Sequence, residues 1–88
     1  MAVLFTARGI TDENAYRGVF EHVRDDLERA PGFVAHGAGP AGEGWQVVEI
    51  WESREDIDRW LEEHIRPTLP PGMEPQFDFQ ELENVLTR

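Results

Sequence analysis

Residues 2–9 (A-V-L-F-T-A-R-G) alternate, with Val3, Phe5 and Ala7 on one side and Leu4, Thr6 and Arg8 on the other. That period of two predicts a half-buried strand, ended by Gly9. The period then lengthens to that of a helix. Tyr16, Val19, Phe20, Val23 and Leu27 fall on one stripe, Thr11 stands at the cap, and Asp12 and Glu13 put negative charge in the first turn. The helix should run to about Ala30 and stop at Pro31 and Gly32, with Arg24–Glu28 and Asp25–Arg29 pairs on its outer face. Residues 33–38 (F-V-A-H-G-A) read as a second strand, and 39–44 (G-P-A-G-E-G) as a loop on composition alone, its length suited to a hairpin into a third strand at Trp45.

Residues 45–67 carry the sharpest pattern. Gln46, Val47, Val48, Glu49, Ile50 and Trp51 suit a pleated surface, and the chain then breaks at Glu52 and Ser53. Ser53 caps a second helix, with Asp56 placed to reach back as a short capping box. Ile57, Trp60, Leu61 and Ile65 follow at helical spacing, Arg66 suits the C-terminal dipole, and Pro67 discourages continuation. At about 100° per residue, His64 falls between Ile57 and Trp60, inside the apolar stripe. Such a histidine is either a hydrogen-bonded core residue or part of a pocket wall.

Four prolines between residues 67 and 75 predict an extended loop, and 76–82 a last strand with Phe77 and Phe79 on one face. The order β-α-β-β-α-β describes a single ferredoxin-like α+β domain over residues 1–88. Right-handed crossovers place both helices on one face of a four-stranded antiparallel sheet. The other face, apolar in several strands, would lie bare in a monomer, and two sheets packed face to face would cover it. A chain of 88 residues has a marginal core of its own, which also favours a homodimer.

Composition closes several classes. Eighteen carboxylates stand against eight arginines and no lysine, a net charge of −10, so nucleic acid and anionic membranes are poor partners. Lysine Schiff-base chemistry is absent, there is no cysteine, and the only serine, Ser53, has a capping role. No apolar run approaches the roughly 20 residues of a membrane span, and Met1 opens no signal-peptide pattern. A cytoplasmic location is expected. His22 beside Glu21, Asp25 and Asp26 is read as solvated surface, and no metal site is expected.

The run V-V-E-I-W-E-S-R-E-D-I-D-R-W-L from Val47 to Leu61, with P-G-F at 31–33, resembles the antibiotic-biosynthesis monooxygenase-like branch of the dimeric α/β-barrel superfamily. The resemblance implies a dimeric α/β barrel and a pocket between helices and sheet. It further implies cofactor-independent oxidation of a small aromatic or polyketide-like molecule, or ring closure by a polyketide cyclase. Trp60 matches a tryptophan tied to catalysis in the monooxygenases. The Asn–Trp–His set of the haem-degrading branch is not reproduced: the first strand offers Thr6 and Arg8, and residues 68–71 contain no histidine.

The candidate site residues are His64, His36 and Tyr16 for catalysis, with Trp60 and Arg8 for substrate binding. Tyr16 sits near the centre of the first helix's stripe, as His64 does on the second. His36 alternates with Val34 and Ala38, and parity leaves it facing either the pocket or a dimer interface. A histidine suits removal of a phenolic or enolic proton, Tyr16 a hydrogen bond to the oxyanion, Trp60 stacking, and Arg8, if inward, anion stabilisation. The bland reading of each is core packing, and Trp45 and Trp51 are read as sheet or dimer-interface anchors. Three functions stand: a cofactor-free oxygenase or cyclase, a binding or accessory dimer using the same pocket, and a scaffold dimer with a filled interior.

Overall fold

The computed structural model describes residues 1–11 and 13–88; the first-turn charge expected of Asp12 lies outside the described residues. The elements are β1 (Ala2–Ile10), α1 (Glu13–Arg29), β2 (Phe33–Ala41), β3 (Gly44–Trp51), α2 (Arg54–Trp60) and β4 (Gln76–Leu82). After Trp60, α2 continues as a π-helical turn (Leu61–Ile65) and a 3-10 turn (Arg66–Thr68). The antiparallel sheet has the order β2-β3-β1-β4, the ferredoxin-like arrangement. No described helix is long and apolar enough to cross a membrane.

Alternation decides which side of the sheet is covered. Val3, Phe5 and Ala7 of β1 and Val47, Glu49 and Trp51 of β3 are buried beneath the helices. Phe5, Ala7, Val47 and Trp51 meet Val23 and Leu27 of α1, then Ile57, Trp60 and Leu61 of the second helix. Phe77 and Phe79 of β4 join the same face, their rings 5.2 and 5.4 Å from Phe5. The opposite face carries Leu4, Thr6, Val48 and Ile50, half-buried; Leu4 pairs with Ile50 and Thr6 with Val48.

Three local expectations are corrected. Gly9 does not end β1; the β1–β3 register shifts between Ala7 and Ile10, a bulge that returns Ile10 to the buried face. Residues 39–44 are not a loop. β2 continues to Ala41, and Ala41 pairs with Gly44 across a two-residue turn. Gly42, at φ 59°, takes the first turn position, which favours glycine. β2 is an edge strand, so Pro40 can pair with Trp45 although it donates no hydrogen bond. On α1, Arg29 pairs with Asp26 at 3.2 Å rather than with Asp25, whereas the Arg24–Glu28 pair forms at 3.5 Å.

The α1–β2 corner is a tight turn of the kind proline and glycine favour. Phe33 N–H donates to the Ala30 carbonyl at 3.2 Å, Pro31 supplies its fixed φ, and Gly32 sits at φ 83°. A Cβ at Gly32 would run into the Asp56 carboxylate. Asp56 in turn belongs to the cap of α2: its backbone N–H donates to Ser53 Oγ at 3.2 Å. Its carboxylate accepts from the Ser53 hydroxyl at 2.8 Å, where a full capping box would use the backbone N–H.

Candidate functional site

The α1 stripe, the start of the π turn and the sheet enclose a cleft of about 80 Å3. Its walls include Phe5, Phe20, Val23, Leu27, Trp60 and Leu61, and the proline-rich segment closes one side with Leu69, Met73 and Pro75. Of the sequence-derived candidates, Tyr16, His36 and Trp60 line it. A few hundred Å3 would be needed to hold a drug-sized ligand as it stands.

The polar groups on its wall form one chain. The Tyr16 hydroxyl lies 2.7 Å from His36 Nε2, and His36 Nδ1 lies 2.7 Å from Glu49 Oε2. Trp51 Nε1 donates to the other carboxylate oxygen, Glu49 Oε1, at 2.9 Å. Glu49 is only 5% exposed and lies opposite His36 in the β2–β3 ladder, which explains why the two side chains meet. An ionised carboxylate only accepts, so with Glu49 ionised and the imidazole neutral the geometry suits a proton on His36 Nδ1 and an Nε2 lone pair that accepts from the Tyr16 O–H. The His36 side chain, 14% exposed, lies near-parallel to the Phe20 ring at 4.9 Å and to the Tyr16 ring at 5.9 Å, and those two rings are 5.4 Å from each other. Burial, and then the negative charge of Glu49, push the Tyr16 hydroxyl above its ordinary range, with Arg17 opposing more weakly. Beside this chain the buried Trp45 Nε1 has no hydrogen-bond partner among the described residues, and its ring lies 6.0 Å from Tyr16.

His64 and Arg8 lie elsewhere. The Arg66 N–H bonds the carbonyl of Leu61, five residues back, and such a widened turn advances less than 100° per residue. His64 therefore swings past Trp60 and out of the apolar stripe. Its ring stacks on Trp60 at 4.4 Å, its side chain is 34% exposed, and Nδ1 lies 3.6 Å from Asp26 Oδ2. It faces a separate polar groove between the end of α1 and α2, with Arg29, Asp56, Arg59 and Glu63. Arg8 is exposed on β1 beside the bulge and takes no part in lining the cleft. Trp51 is fully buried among Phe33 and Trp60, a core residue and not an interface anchor.

Sequence reasoning missed Glu49, which it treated as a polar interruption of the strand. The signal was available. Glu49 shares parity with Val47 and Trp51, so burying those two buries it, and a buried carboxylate needs partners. Its opposite neighbour in the ladder could not be named while the hairpin length was misjudged. Among the described residues, no group of three or more histidines, aspartates or glutamates is arranged to hold a metal ion.

No family model and no curated protein matches the chain. Solved structures do resemble it, among them two crystal structures of SnoaB, a cofactor-independent oxygenase from Streptomyces nogalater. A mutant of that enzyme matches with a TM-score of 0.65 and 16% identity, covering 99% of this chain and 98% of that one. The second structure gives 0.54 and 17% identity, covering 99% and 94%. Identities this low establish a shared fold.

Proposed function

We propose that this protein is a cofactor-independent oxygenase acting on a small neutral phenolic or enolic compound, with Tyr16, His36 and Glu49 as its proton relay. The observation that carries the reading is the continuous Glu49–His36–Tyr16 chain on the wall of an otherwise apolar cleft. The SnoaB likeness supplies a fold precedent for cofactor-free oxygen chemistry.

In the proposed reaction the substrate hydroxyl gives its proton to the Tyr16 oxygen while Tyr16 passes its own to His36 Nε2. The imidazolium is held by the Glu49 carboxylate, and the substrate anion lies against Trp60. In the enol form the activated ring CH2 is already a CH, its other hydrogen being the hydroxyl proton that the relay removes. The electron-rich anion transfers an electron to O2, the radical pair combines at that CH carbon, and the peroxide anion takes the proton back from the His36 imidazolium through Tyr16 to give a hydroperoxide. Loss of water then leaves a carbonyl. The balance is CH2 + O2 → C=O + H2O, so no outside reductant is required. His64 and Arg8, away from the cleft, have no part in this path.

Charge limits the substrate. Glu49 is the only carboxylate among the described residues lining the cleft, and no arginine lines it. A second carboxylate placed there would be desolvated beside Glu49 with no cation to offset it. Oxygen uptake and thermal stability measured with neutral phenols and with their carboxylated counterparts test this. Neutral compounds should be turned over or bound and carboxylated ones ignored; equal response to both contradicts the assignment.

The size of the cleft supports a second reading. Its 80 Å3 is about half the ~150 Å3 cavity that accommodates benzene, so a ring enters only if Leu69, Met73 and Pro75 move away from α1. A binding or accessory protein would show ligand-dependent stabilisation without oxygen uptake, and a filled scaffold would show neither. We also propose a cytoplasmic homodimer joined through the open sheet face, supported by the apolar Leu4, Val48 and Ile50 at its centre.

A further inference from the structure

We infer that Trp51 is a positioning residue for the proton relay: its indole N–H fixes the Glu49 carboxylate so that Glu49 in turn holds His36 in the tautomer that can accept a proton from Tyr16. This rests on the relay assigned above. Trp51 and Glu49 are two residues apart on β3 and share its buried face, so the indole N–H reaches Glu49 Oε1 at 2.9 Å within one strand. The ring has little freedom to move. It is 0% exposed, packed edge-on to Phe33 at 5.5 Å and tilted against Trp60 at 6.0 Å. An indole N–H donates and never accepts, so it leaves one defined role for each carboxylate oxygen: Oε1 for Trp51 and Oε2 for His36 Nδ1–H. Without that donor, Oε1 is buried with no partner, and the carboxylate is free to rotate about its last torsion.

A tryptophan that merely fills the core would tolerate loss of its N–H as long as its shape remained. Trp51→Phe keeps an aromatic ring, and 3-benzothienylalanine inserted at position 51 keeps the bicyclic shape without the N–H should the phenylalanine variant fail to fold. Nitrogen NMR of the His36 imidazole, assigned by its loss in His36→Gln, reads the tautomer without any substrate. The native protein should show a proton on Nδ1 and a bare Nε2. Either position-51 variant should shift that signal towards a mixture, as Glu49→Gln must do as the positive control. On any phenol the native protein turns over, kcat should fall about tenfold with KM within about twofold, the scale of losing an outer hydrogen-bond partner. An unchanged His36 signal in a folded variant lacking the N–H, with Glu49→Gln shifting it, overturns the inference. A native protein inactive on every phenol would instead overturn the proposed function, and the tautomer result would still decide the role of Trp51.

Discussion

Tyr16 is the single tyrosine of the chain, so its ionisation can be followed by phenolate absorbance without interference from another. Its hydroxyl is held above the ordinary tyrosine value of about 10 by burial and by Glu49. Folding therefore favours the neutral phenol. That contribution to stability is complete below about pH 10 and is lost as the pH rises towards the folded-state value, because the unfolded chain releases the proton first. Denaturation followed through this range should show the native protein losing stability where Tyr16→Phe does not. Glu49→Gln should lower the pH at which the phenolate appears; an unchanged titration would mean that the carboxylate does not act on Tyr16. Removing the hydroxyl leaves His36 Nε2 without its donor, and Tyr16→Phe should cost about 1–2 kcal/mol at neutral pH by thermal denaturation. Two members of the relay were named from the sequence, Tyr16 from the α1 stripe and His36 as a candidate base, although strand parity left His36 facing either the pocket or a dimer interface. Glu49 was legible in principle, since a glutamate between Val47 and Trp51 on one face of a strand must be buried with them.

At the scale of elements, the strand, break and capped helix from Trp45 to Ile57 were readable because each signal is local: β-branched residues, one serine, one stripe. The last turns of the second helix were not. A π turn holds one residue more than an α turn, and the spacing of Trp60, Leu61 and Ile65 fits an ordinary α-helix, so nothing in it marks the widening. One widened turn moved His64 from the cleft to the outer groove, so a projection at 100° per residue failed for the residue it singled out. His64→Ala should accordingly leave any turnover within about twofold, whereas His36→Ala should reduce it by about 100-fold or more, the lower range for an acid–base group. The hairpin formed as expected, but the length of its loop was misread for a different reason. Glycine and proline mark loops inside a sheet but are tolerated on its edge, and strand order is not a local property. The α1–β2 corner offers a stability test: Gly32→Ala puts a Cβ into the Asp56 carboxylate at a positive φ and should lower stability by about 1–3 kcal/mol. Thermal denaturation measures it; a loss below a few tenths of a kcal/mol would mean the corner relaxes freely.

Across the whole molecule, the β-α-β-β-α-β order put both helices on one sheet face, and strand alternation then gathered Phe5, Val47, Phe77 and Phe79, with Trp51, into one interior. Cleft volume was beyond reach of the sequence, because it depends on how closely the proline-rich segment lies against α1. The proposed homodimer makes the opposite face interior as well. Ile50→Glu would put a charge in its centre and should yield a folded monomer by light scattering; a dimer that persists would place the interface elsewhere. The proposed catalyst needs the enclosed face and its relay together. Oxygen consumption by the native protein and by His36→Gln, on the same neutral phenolic CH2 substrate, joins these scales in one measurement. The native protein should take up one O2 for each carbonyl formed, and the folded variant should lose about 100-fold or more of that rate. Oxygen uptake that survives His36→Gln unchanged, or none by the native protein on any such substrate, would contradict the assignment of the cleft as an oxygenase site.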